Sequence, residues 1–153
     1  MKTQDRHAKG EGWKPTRDEL NDWLKTRIMC SFSTLDQDGA PESAYVAFSV
    51  TDDGDYIIGT SEASRKAHNI DYDSRASMAV IDMDARLTAQ IKGKAKKLSQ
   101  AAFAKLANEH YRQRPESLPF RDKPGQMHIL VSPSYIKFSD CSSHPWTITE
   151  YEL

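Results

Sequence analysis

The chain has 153 residues, enough for one domain that buries roughly two-thirds of the surface its unfolded form would expose. Only 38% of the residues are hydrophobic and 28% are charged, a lean core that a partner subunit would help to complete. With 21 Lys plus Arg against 22 Asp plus Glu the formal charge is −1, which argues against a nucleic-acid partner, and the short apolar runs offer no membrane span or signal-peptide core.

Residues 1–15 read as a flexible N-terminal arm, since 1–12 carry almost no apolar side chains. A helix starts at Thr16, where Thr16-Arg17-Asp18-Glu19 forms a capping box. Leu20, Trp23, Leu24 and Ile28 then recur at helical spacing and predict one buried face. From Cys30 the period becomes two. Strands are expected over 30–35, 40–50 and 55–60, joined by the turns Asp36-Gln37-Asp38-Gly39 and Thr51-Asp52-Asp53-Gly54. In the second strand Ala44, Val46, Phe48 and Val50 share a face, and Pro41 fits only a strand start or an edge.

A short helix over 64–71 follows, then strands over 76–82 and 86–98. Ser99 caps a further helix with Phe103, Leu106, Ala107, His110 and Tyr111 as its buried stripe. Residues 112–126 hold three prolines and read as a long surface loop. Two last strands, 127–131 and 135–138, are separated by Ser132-Pro133-Ser134, and 140–153 form a C-terminal tail. The sum is a mainly β domain over 16–139: six or seven antiparallel strands with about three helices, a small barrel plugged at its open sides.

The stretch 56–70 stands out. It predicts a strand, a polar turn and a helix start capped by Ser64, followed at once by Arg65 and Lys66. Two cations at a helix N-terminus oppose the helix dipole unless an anion such as a phosphate sits there; the competing reading is a solvated basic helix start. The five histidines lack metal-ligand spacing, so no metal is expected, and there is no nucleophile elbow and no glycine-rich dinucleotide fingerprint. Lys92, Lys94 and Lys96 alternate and predict a solvated strand face rather than a nucleic-acid stripe. Cys30 and Cys141 are far apart and suit free thiols in a reducing cytoplasm. With no catalytic set carried by the protein, an enzyme of this sequence would depend on a bound cofactor.

Several segments, taken in order, resemble the pyridoxamine 5'-phosphate oxidase-like family of flavin-binding split barrels. They are Ser33-Thr34-Leu35 with Asp36-Gln37-Asp38-Gly39-Ala40-Pro41, Gly59-Thr60 with Ser64-Arg65-Lys66-Ala67 and Asn69-Ile70, Asp73-Ser74-Arg75-Ala76, and Gln90-Ile91-Lys92-Gly93-Lys94-Ala95. The resemblance spans about residues 16–138 and implies an FMN-binding split barrel that is a homodimer with flavin mononucleotide between its subunits. By carry-over, Arg65, Lys66 and Ser64 hold the phosphate, and Gly59 and Thr60 approach the ribityl chain. Val46, Ala47, Phe48 and Ser49 pass beneath the ring, and Thr88 and, more distantly, Trp146 reach the flavin.

Two departures set the chain apart from the true oxidases of that family. Ser49 stands where they place a substrate-binding Lys, and Trp146 is followed by no cation in the tail. The resemblance thus implies an FMN-dependent oxidoreductase on another small molecule, with NAD(P)H as a possible electron donor. Tyr111, Arg112, Arg114 and Arg121 either meet an anionic substrate or are surface groups. A non-catalytic flavin- or haem-binding stress-type protein and a deazaflavin-dependent reductase are the alternatives on the same fold.

Overall fold

The computed structural model describes residues 11–153. Its order is α1 (Arg17–Lys25), β1 (Met29–Leu35), β2 (Pro41–Ala47), β3 (Ser49–Val50), β4 (Tyr56–Ser61), α2 (Arg65–Tyr72), β5 (Arg75–Asp82) and β6 (Leu87–Leu98). Then come α3 (Gln100–Ala104), α4 (Ala107–Gln113), a 3-10 helix (Pro115–Phe120), β7 (Gln126–Asp140) and β8 (Thr147–Glu152). All strand pairs are antiparallel, in the order β2-β1-β5-β6-β7-β4-β3, with β8 added beside β7. β2 and β3 lie at opposite ends of that order, yet only Phe48 separates them in the chain. The sheet must therefore curl until its edges approach, which makes it a split barrel.

The barrel is filled by alternate residues of each strand, among them Phe32, Met78, Val80, Ala89, Ile91, Ile136 and Phe138. One open side is plugged by α1. Its capping box forms as expected, with Glu19 N donating to Thr16 Oγ1 and Thr16 N donating to Glu19 Oε1. Leu20, Trp23 and Leu24 are buried, and Trp23 meets Phe138 edge-on at 5.4 Å. The helix ends before Ile28, which is exposed rather than part of the buried face.

Several expectations are corrected. The strand over 40–50 breaks at Phe48, whose N–H donates to Ile28 O while its ring enters the core. The helix after Ser99 is two short helices, α3 and α4, and much of the supposed loop 112–126 is the end of α4 and the 3-10 helix. The two last strands are one: β7 runs through Pro133, and the register shifts opposite Gly93. Pro133 has no N–H for the ladder, and the bulge absorbs it. The tail over 140–153 carries β8, whose Thr147 pairs with Asp140. Of the expected arm, residues 1–10 lie outside the described residues. Gly12 N donates to Thr147 Oγ1 at 3.1 Å, and Trp13 packs edge-on to Phe138 at 5.2 Å. Lys92, Lys94 and Lys96 do lie on an exposed face of β6. Among the described residues no helix is long and apolar enough to cross a membrane.

Candidate functional site

The β4–α2 corner has the predicted local structure. Ser64 is the N-cap of α2, and its Oγ accepts from Ala67 N at 3.2 Å and from Thr60 Oγ1 at 3.1 Å. That links the end of β4 to the helix start and leaves the amides of Arg65 and Lys66 among those a helix cannot satisfy internally. Lys66 is half-buried, and no described residue forms an ion pair with it. Arg65 is exposed, and its Nε lies 2.8 Å from Glu42 Oε2. The Ser64 hydroxyl, whose own hydrogen remains to be donated, first-turn amides and a lysine without an acidic partner are a donor set that fits a phosphate.

Beside this corner lies a cavity of about 360 Å³. Ala47, Gly59 and Thr60 line it from the sheet, and His110, Tyr111 and Arg114 from α4 and its C-cap. His128 faces Gly59 across the β4–β7 ladder and stacks on Phe103 with ring centroids 3.5 Å apart and planes 6° apart. A side chain at position 59 would crowd Gln126, since a Cβ there would sit 3.1 Å from Gln126 Nε2. The glycine keeps this wall of the cavity open.

The helix α4 is tied to the sheet edge by side chains that act like a neighbouring strand. Gln113 accepts from Val50 N at 2.9 Å and donates to Val50 O at 2.8 Å. Ser49 Oγ and His110 Nδ1 are 2.7 Å apart. His110 is buried, its Nε2 has no hydrogen-bond partner, and Arg114, also buried, has an unpartnered Nε. The Arg114 charge is met at 3.3 Å by Glu116, which is largely solvated. Burial above all, with help from His128 and Arg114, holds the His110 pKa down to about 4. Burial alone lowers His128 to about 4. Both imidazoles are therefore neutral near pH 7.

The predicted residues divide into three groups. Ala47, Gly59 and Thr60 share the cavity, with Ser64, Arg65 and Lys66 around the corner from it. Val46 and Phe48 turn their side chains toward the core, and Ser49 is buried against His110, so these three offer a ligand backbone rather than side chains. Thr88 and Trp146 lie elsewhere. Thr88 pairs with Ser139 and Trp146 precedes β8, whereas Gly59 pairs with His128, roughly 35 Å away along β7.

Arg112 and Arg121 are exposed and paired with Glu109 and Asp122, as surface cations would be, whereas Arg114, paired with Glu116, is buried. His110, His128, Gln126 and Phe103 were not singled out by sequence as site residues. His110 reads there as one more member of a buried helical stripe, and His128 gains meaning only from its register opposite Gly59.

The fold has clear relatives among solved structures. A haem-binding protein of Mycobacterium smegmatis is 15% identical with a TM-score of 0.76, over 91% of this chain and 59% of that one. This chain thus spans less than two-thirds of that protein's length. A pyridoxamine 5'-phosphate oxidase-related, FMN-binding protein of Nostoc punctiforme is 16% identical with a TM-score of 0.68, over 91% of each chain. General stress protein 26 of Bacillus anthracis is 17% identical with a TM-score of 0.62, over 88% of this chain and 98% of that one. At such identities the likeness shows the fold alone. A search of curated protein sequences finds no match. The family model described as Pyridoxamine 5'-phosphate oxidase matches residues 16–137, nearly the whole barrel, and the chain belongs to that family.

Proposed function

We propose that the protein is a homodimer that binds flavin mononucleotide and acts as a flavin-dependent oxidoreductase on an unidentified small molecule. The observation that carries this reading is the β4–α2 corner, where Thr60, Ser64 and the amides opening α2 meet beside an open cavity, with Lys66 in the first turn of the helix. Family membership and an FMN-binding structural neighbour support it. A bound flavin supplies hydride or electron transfer, with NAD(P)H as a candidate donor. The protein's part is to grip the phosphate through Ser64, Arg65 and Lys66, pass the ribityl chain by Gly59 and Thr60, and back the ring with the backbone over 46–49. Thr88 and Trp146, remote within one chain, take part only if a second copy supplies them.

The lining of the cavity supports an anionic substrate. A buried guanidinium with an unpartnered Nε, next to two neutral imidazoles, favours an anionic group. The substrate of the true oxidases is disfavoured, because Ser49 replaces their lysine and is itself occupied by His110. Haem is the second reading, and the neutral His110 and His128 on the cavity wall are what favour it. A deazaflavin would use the same phosphate corner.

The test is to replace Arg65 and Lys66 together by Ala and measure equilibrium affinity for flavin mononucleotide and for riboflavin, which lacks the phosphate. We expect flavin mononucleotide to weaken by roughly tenfold or more while riboflavin changes little. Equal weakening of both ligands would remove the phosphate from this corner.

A further inference from the structure

Arg65 does not stand free at the start of α2. Glu42, on the edge strand β2, is fixed from two sides: Oε2 lies 2.8 Å from Arg65 Nε, and Oε1 accepts from Asn69 Nδ2 at 3.1 Å. Asn69 is buried and also donates to Thr34 Oγ1 at 3.0 Å, and Thr34 is the buried residue that pairs with Glu42 across β1 and β2. The carboxylate is thus set in place by a network reaching into the core. It takes up the cation at the first position of the helix. The arrangement performs, within the chain, the electrostatic role that a ligand phosphate would perform at the same corner.

We infer that Glu42 sets how tightly this corner holds a phosphate: its carboxylate competes with the phosphate of flavin mononucleotide for Arg65. The inference rests on the flavin reading given above. Its consequence is a cofactor that exchanges with free flavin, with Lys66 as the main phosphate cation and Arg65 recruited only as it leaves Glu42. A carboxylate serving solely to tie α2 to β2 would leave ligand affinity alone. One that positions Arg65 for the phosphate would make the grip tighter, not looser.

Glu42→Gln separates these cases, because the amide oxygen can still accept from Asn69 while the charge is lost. Equilibrium titrations of wild type and variant with flavin mononucleotide and with riboflavin at low salt provide the readout. We expect flavin mononucleotide to bind roughly five- to tenfold more tightly to the variant, and riboflavin to be unaffected. The gain should shrink as salt is raised. Unchanged or weaker binding of flavin mononucleotide by a variant that melts like wild type would overturn the inference while leaving the flavin reading intact. Wild-type protein that binds neither flavin would overturn the flavin reading, and this inference with it. If Glu42→Gln fails to fold, Glu42→Thr provides the same comparison, since Thr suits an edge strand and also removes the charge.

Discussion

Ser64, Lys66 and Gly59 each have a role that local chemistry announces: a cap, a cation at a helix start, a residue without a side chain at a strand end. That part of the site was legible before any fold was known. His110 and His128 were not, and Arg114 only as one of four candidates, because their significance comes from burial, and burial is decided by how α4 docks on β3. Docked there, the two imidazoles are buried and neutral, which makes them a pH-sensitive part of the protein's stability. An exposed imidazole takes up its proton near 6.5, whereas His110 and His128 in the fold do so only at about 4. The unfolded chain therefore binds protons first as pH falls. The stability associated with these groups is complete above about pH 6.5 and is lost progressively toward pH 4, by at most about 3 kcal/mol for each. Urea midpoints measured from pH 7.5 to 4.5 should fall over that window. His128→Phe, which keeps an aromatic ring against Phe103, should flatten the fall, and an unchanged slope would show that His128 titrates normally.

At the scale of the elements, the change of period from helix to strand and the Asp/Gly turns located β1, β2, β4, β5 and β6 closely. The turn glycines Gly39 and Gly54 have φ of 81° and 83°, as their positions demand. What sequence could not reveal was the continuity of β7. Ser132-Pro133-Ser134 has the composition of a break, yet in the fold it is a bulge whose partner is a glycine on β6. A Cβ at position 93 would lie 2.3 Å from Ser132 O, so no side chain fits there. Gly93→Ala should cost roughly 1–3 kcal/mol in urea unfolding, by forcing β6 and β7 apart at the bulge. Stability equal to wild type would mean that the two strands are not held in this register. The division of the last helix into α3 and α4 was equally hidden, since neither Lys105 nor Leu106 between them is a helix-breaking residue type.

The whole molecule is a curled sheet whose two edges are joined by one residue, Phe48. Its β class followed from strand number and turn spacing, whereas the strand order did not, because each pairing joins residues far apart in the chain. The curl also explains why the predicted site divides. Thr88 and Trp146 sit at the far end of β7 from the phosphate corner, so a single chain presents half of the proposed cofactor environment, and a second copy would have to bring the other half. The lean core, and exposed side chains such as Ile81, Met83, Trp146 and Ile148, are consistent with such a partner. The proposed function turns on a flavin phosphate held at this corner. Its most direct test is an equilibrium titration of the purified protein with flavin mononucleotide, followed by flavin fluorescence and repeated with riboflavin. We expect saturation at one flavin mononucleotide per chain, with riboflavin bound more weakly. No saturable change, or equal affinity for the two flavins, would contradict it.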